Sequence, residues 1–162
     1  MTRVFKHLCT GWVQRRRTFP PKVLAAIEES VARSERSHGG QICVAIEDCL
    51  SPWQLIRGLS ARQRAVEVFS QLRVWDTAGN NGVLLYLLLA DHAVEIVADR
   101  AVVAEVGTTA LDAVCHELEA AFRRGDYRNG ILHSIEQIGR LLGDHFPPQP
   151  GANEVADKPV LL

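Results

Sequence analysis

The stretch VWDTAGNNGVLLYLLLADHAVEIVADR, residues 74–100, decides how the chain folds. From Val83 to Ala90 it carries neither charge nor glycine and consists mainly of leucine and valine. A short continuous apolar run of this kind suits a central strand covered on both faces. Asp91-His92 is a polar pair where a tight two-residue hairpin is expected, without the glycine that usually marks one. The return strand, His92 to Ala98, sets Ala93, Glu95 and Val97 on one face and Val94, Ile96 and Ala98 on the other. One face is therefore partly polar, as suits an antiparallel strand nearer the edge of a sheet.

A hairpin closed at Asp91-His92 brings the start of its first strand beside the end of its second. Asp76, Asn80 and Asn81 enter at that open end, and Asp99 and Arg100 leave there. Carboxylates, amides and a guanidinium thus converge on one rim. Asp76, Asn81 and Asp99 are the expected metal ligands, hard oxygens suited to calcium or magnesium, with carbonyls or water completing the shell. The competing expectation is that Asp76 caps a turn, Asn80-Asn81 shape the backbone and Asp99 pairs with Arg100.

Outward from the hairpin, Val23, Leu24, Ile27 and Val31 repeat at helical spacing behind Pro20-Pro21, which predicts a helix over 20–37. QICVAIE, residues 41–47, is the first strand, and 48–59 is a loop with Pro52, Trp53 and Gly58. Ser60 and Gln63 have the spacing of a capping box and open a helix that buries Ala65, Val66, Phe69 and Leu72. Residues 100–107 are a helical turn or short strand. Thr109 with Asp112 starts a helix to about Arg124, and another runs over 127–143. The order predicts an α/β fold: a three-layer α/β/α sandwich with a small mixed sheet, a parallel pair plus an antiparallel hairpin, flanked by four helices. A fourth short strand is expected within 48–59 or 100–107.

Three regions follow: a basic amphipathic arm at 1–18, an α/β domain at 19–146, and a proline-rich tail at 147–162 expected to be mobile. The arm interleaves Val4, Phe5, Leu8, Trp12 and Val13 with Arg3, Lys6 and Arg15–Arg17. It lacks the apolar core of a secretory signal, and no run long enough to cross a bilayer occurs. Its alternatives are a contact with a membrane surface and packing on its own domain, the second favoured.

At 162 residues, 47% hydrophobic and 23% charged, the composition is that of a soluble globular chain with one core. A net charge of −1 gives no general reason to expect nucleic acid as a partner. Cys9, Cys43, Cys49 and Cys115 have no C-x-x-C spacing, which argues against structural zinc and for reduced thiols in the cytoplasm. Cys115 and His116 are adjacent on a helix and point about 100° apart, so they do not form a nucleophilic pair. The tryptophans, Trp12, Trp53 and Trp75, are expected at the core edge, the alternative being exposed contact residues of an interface. His38 is expected to complement a helix end or to reach the rim.

The segment from the second helix through NNGVLLYLLLADHAVEIVADR, then a helix and FRRGDYRNGIL, resembles the TPM domain over about residues 19–146. Asn80-Asn81-Gly82-Val83 and Phe122-Arg123-Arg124-Gly125-Asp126-Tyr127 are its most specific pieces. The resemblance implies an α/β sandwich, with acid phosphatase activity in some members and divalent-cation binding, calcium included, in some. Where many members have a Gly-x-Gly step after the hairpin, Ala98-Asp99-Arg100-Ala101 stands here, which removes glycines and supplies Asp99.

Three functions are expected from these readings. The first is a non-catalytic interaction module for an unknown protein partner, modulated by a divalent cation at the open end of the hairpin. The second is a weak metal-dependent phosphatase whose catalytic residues would come from Asp76, Asp99 and Arg100, the carboxylates on the ion and the guanidinium on the phosphate. The third is a peripheral membrane protein docking through residues 1–17.

Overall fold

The computed structural model describes residues 3, 7, 16–148 and 153–162. Its elements are α1 (Pro21–Glu35), β1 (Gln41–Glu47), α2 (Pro52–Ile56), α3 (Ala61–Gln71), β2 (Gly82–Leu88), β3 (Ala93–Ala98), α4 (Arg100–Val106), α5 (Thr108–Arg123), α6 (Tyr127–His145) and β4 (Val160–Leu161). The sheet order is β3-β2-β1-β4. β1 and β2 are parallel, with Gln41 opposite Gly82, and β2 and β3 are antiparallel, with Val83 opposite Ala98. This is the mixed α/β sheet expected of a helix-linked strand pair followed by a hairpin.

Alternation along the strands divides the interior in two. Ile42, Val44, Ile46, Val83, Leu85, Leu87, Val94 and Ile96 face one layer, where α1, α4, α5 and α6 pack. Cys43, Ala45, Leu84, Tyr86, Leu88 and Val97 face the other, covered by α3, by Leu55 of α2 and by Val155. Every residue of β2 is buried, which explains its unbroken apolar run.

Several local expectations are corrected. The hairpin closes through four residues, Leu89 to His92, because β2 ends at Leu88 opposite Ala93. His92 takes a φ of 52° and donates its N–H to the Leu89 carbonyl, filling the left-handed position without glycine. Residues 52–56, read as loop, are a helix with its own capping box: Ser51 accepts from the Gln54 N–H while Gln54 accepts from the Ser51 N–H. Neither 48–59 nor 100–107 supplies the fourth strand, since both contain helices. In α3 it is Val68 that is buried, whereas Val66 is exposed. The N-cap of α5 is Gly107, with a φ of 82° and no side-chain cap, in place of Thr109. More than four helices flank the sheet, six of them lying wholly within the described residues.

The C-terminal residues are also placed differently from the expectation of a mobile tail. Residues 153–162 lie against the domain, and Val160 and Leu161 extend the sheet as β4, parallel to β1 opposite Ala45 and Ile46. The segment ANEVADKPVLL gave no strand signal because Asn153, Glu154, Asp157, Lys158 and Pro159 interrupt it and leave a β-favouring run of only Val160-Leu161-Leu162. Trp53 and Trp75 are exposed, at 66% and 50%, instead of lying at the core edge. Trp12 and most of residues 1–15 lie outside the described residues.

Candidate functional site

The rim predicted at the open end of the hairpin forms from β1, β2 and the N-terminus of α4. The Asp99 N–H donates to the Gly82 carbonyl, and Gln41 N–H donates to the Asn81 carbonyl, so the starts of β1 and β2 and the exit of β3 lie side by side. Asn81 is the hinge pin. Its Nδ2 donates to the Gly39 carbonyl at 2.6 Å, and its backbone N–H is accepted by Thr77 Oγ1 at 3.1 Å. With Nδ2 committed, Oδ1 is the side-chain atom able to meet a cation. Asn80 adopts a φ of 48° and its carbonyl accepts from the Ala101 N–H, tying the turn to α4.

Asp99 caps α4. Its Oδ1 accepts from the Arg100 N–H at 2.6 Å, and the side chain is buried, 8% exposed. The second oxygen, Oδ2, is buried with no hydrogen-bond donor among the described residues. Such an atom is costly to leave unmet, and an ion or water is the usual complement. Asp76 is exposed, and its backbone N–H donates to Arg73, which makes it a turn residue. Arg100 is exposed, and among the described residues it forms no ion pair with Asp99. Among the described residues no cluster of three or more His, Cys, Asp or Glu side chains is arranged to hold a metal, so a rim site would depend on Asp99 together with amide and carbonyl oxygens.

His38 does not serve the rim. Its ring is buried between Ser34 Oγ, 3.0 Å from Nε2, and the Gly40 carbonyl, 3.1 Å from Nδ1. A carbonyl only accepts, so Nδ1 carries the hydrogen and Nε2 accepts from the Ser34 hydroxyl. Burial holds the imidazole below its ordinary value, against the opposing pull of the Gly40 carbonyl. The thiols are equally inert: burial, assisted by the charge of Glu35, pushes Cys43 up to about 12, and burial with nearby carboxylates does the same for Cys115.

Two polar clusters escaped sequence reasoning. On the α3 face of the sheet, Glu47 receives Arg64 through both carboxylate oxygens, at 2.9 to 3.2 Å, and the Tyr86 hydroxyl at 2.5 Å. The ladder places Ala45 opposite Tyr86, so Glu47 and Tyr86 are diagonal neighbours on one face. The available signal was a tyrosine inside the otherwise apolar β2 and a glutamate at the end of β1.

At the closed end of the hairpin, Asp91 accepts a forked pair of bonds from Arg3, with Nη2 at 2.8 Å, and lies 3.0 Å from His7 Nε2. His7 Nδ1 accepts the Leu50 N–H at 2.9 Å, which fixes the tautomer with the hydrogen on Nε2. Burial works against ionisation of Asp91, but Arg3 and His7 prevail and hold the carboxyl below its ordinary 3.8. A depressed carboxyl contributes stability that is complete above its ordinary value and lost as pH falls through the depressed one. Asp91→Asn is therefore expected to cost about 1–3 kcal/mol at neutral pH in urea unfolding. The difference from the parent should shrink below about pH 4. Equal stability at pH 7 would show that the arm is not held there.

The comparisons with known proteins accord with this architecture. A family model described as the TPM domain matches residues 13–141. Among solved structures, the BA42 protein from the psychrophilic bacterium Bizionia argentinensis superposes with a TM-score of 0.76 at 23% identity, over 87% of this chain and 93% of that one. The N-terminal domain of a protein from P. gingivalis superposes with a TM-score of 0.60 at 19% identity, over 76% of each chain. At these identities the likeness is one of fold. No curated protein matches. With the family model spanning most of its length, the chain belongs to the TPM domain family.

Proposed function

We propose that this TPM domain is a non-catalytic interaction module whose hairpin rim takes a divalent cation, calcium or magnesium. The observation that carries the reading is Asp99 Oδ2, a buried carboxylate oxygen at the edge of the rim without a donor among the described residues. Asn81 Oδ1 and the carbonyls of the 76–81 turn are the oxygens of the same rim whose chemistry suits completing a shell. Trp75, half exposed and next to Asp76, supplies an aromatic contact of the kind enriched in protein interfaces. An ion on Asp99 would stiffen the turn that presents this tryptophan and so couple cation to partner.

The test is an NMR titration of the full chain with calcium and then magnesium. Amide resonances of Asn80 to Gly82 and of Asp99 to Ala101 should move in a saturable way, and Asp99→Asn should abolish the change. Shifts scattered over exposed carboxylates, unchanged in that variant, would remove the rim site. Hydrolysis of p-nitrophenyl phosphate by the parent, lost in Asp99→Asn and Arg100→Ala, would favour the phosphatase reading instead.

A further inference from the structure

The closed end of the hairpin, opposite the rim, carries side chains that the core does not use. β1 and β2 finish side by side there, Glu47 opposite Leu88, with the Leu89 N–H donating to the Glu47 carbonyl. The next element in the chain is α2, whose start is fixed by the Ser51–Gln54 capping box and whose Leu55 packs on the second core. Trp53, Ile56 and Arg57 stand at i, i+3 and i+4, on one face and turned away from Leu55. Trp53 is 66% exposed and Ile56 77%, more than any other large apolar side chain among the described residues. Such a pair gains by leaving water for an apolar phase.

Exposed cations gather at the same end. The Gly39 N–H donates to the Phe146 carbonyl just past α6, so α1 and α6 both finish beside the start of β1. A helix of 15 residues spans about 22 Å and a strand of seven about 23 Å, so α1 begins where β1 ends. There the rings of Phe19 and Tyr127 meet edge to face at 6.3 Å, which brings the start of α6 alongside. Arg17 and Lys22 flank the start of α1, and Arg124 and Arg128 the start of α6. With Arg57 they are exposed, and among the described residues none of them forms an ion pair. Of the acids here, Asp91 is held by Arg3 and His7, while Asp126 is exposed. The same bonds fasten the basic arm to this end.

We propose that the closed end of the sheet docks on an anionic lipid bilayer, with Trp53 and Ile56 entering the interface and the surrounding cations meeting the headgroups. Tryptophan suits that depth because its ring is amphipathic, and each cation near an anionic leaflet adds attraction. A nucleic acid would use the same cations but gains nothing from Ile56, so the apolar pair favours lipid. Docking in this way turns the rim, at the other end of the strands, away from the membrane.

The test is cosedimentation of the full chain with vesicles of phosphatidylcholine alone and with about 30% phosphatidylserine. EDTA is present throughout, so no divalent ion bridges protein and lipid and the outcome is independent of the rim. Binding should require phosphatidylserine and weaken with added salt. Trp53→Ser with Ile56→Ser should weaken it at least about tenfold. Arg124→Glu with Arg128→Glu should weaken it by a similar factor, about tenfold. Val103→Ser, an exposed apolar position on α4, should leave it unchanged. These positions are all exposed, and a thermal melt of each variant checks that it folds. No binding to the anionic vesicles, or binding undiminished in either double variant, would overturn the proposal, the second result leaving residues 1–17 as the contact. Tighter binding to a DNA duplex than to these vesicles would overturn it in favour of nucleic acid.

Discussion

Gly82→Ala is expected to cost about 4 kcal/mol or more in urea unfolding, enough to leave much of the chain unfolded. An alanine Cβ at that position would lie 1.9 Å from the Val74 carbonyl oxygen. The obstacle is backbone, not the far end of a flexible side chain, so relief requires shifting either the start of β2 or the turn that precedes it. Gly82 is fixed on both sides: it stands opposite Gln41 of β1, and its carbonyl accepts the Asp99 N–H. Moving it would disturb the rim as well as the sheet. Gly107→Ala is the control. That residue has a φ of 82° and a ψ of 153° but open space around it, so only backbone strain of about 1–3 kcal/mol is expected. Equal costs for the two variants would show that the Val74 approach is not what requires glycine at position 82.

Arg64→Ala is expected to be nearly as damaging, at about 3–5 kcal/mol, because it leaves Glu47 buried beside Tyr86 with no counter-charge. The Glu47 side chain is only 8% exposed and that of Arg64 11%, so water cannot substitute readily for the lost guanidinium. The double variant Glu47→Leu with Arg64→Leu should recover most of the loss, since a buried pair is worth much less than the penalty of breaking it. Tyr86→Phe removes one donor and leaves the ion pair in place, so about 1–2 kcal/mol is expected. Its hydroxyl is raised well above its ordinary value, by burial first and by Glu47 next, and stays protonated at any ordinary pH. Urea unfolding of Glu47→Leu, Arg64→Leu and their double variant closes the cycle, and additive losses would mean that Glu47 and Arg64 are not coupled.

The parts of the fold that were legible in the sequence are those written by periodicity over one element. The apolar run of β2, the alternation of β3 and the helical spacing of Val23, Ile27 and Val31 each state which face is covered, and the helix between β1 and β2 dictates their parallel pairing. The parts that were not legible depend on contacts far apart in the chain. β4 has two residues, too few for any period; it pairs with Ala45 and Ile46, and the segment before it is held by Gln41 and Ala78. The His92 turn lacks glycine because a hydrogen bond to Leu89 supports its left-handed backbone. The Ser51–Gln54 capping box was present in the sequence, with the same spacing as Ser60–Gln63, and was obscured by the proline and tryptophan within it.

The rim shows the same division. Topology alone brings Asn81 and Asp99 to one end of the sheet, as the Asp99–Gly82 and Gln41–Asn81 backbone bonds record. Which carboxylate turns inward is a matter of side-chain environment, and it is Asp99, capping α4, while Asp76 faces solvent. The pairing of Asp99 with Arg100 is through the backbone N–H, a bond that adjacency in sequence does not distinguish from an ion pair.

The most direct test of the cation-binding rim is a thermal melt of the full chain in EDTA, compared with melts in calcium and in magnesium. An ion that binds only the folded state, at about 100 times its dissociation constant, adds roughly 2.7 kcal/mol. For a chain of this size that raises Tm by roughly 5–10 °C. The rise should vanish in Asp99→Asn, whose amide keeps a cap for α4 but cannot offer a charged oxygen to the ion. A Tm unmoved by either ion at millimolar concentration, or a rise that persists in the variant, would contradict the account.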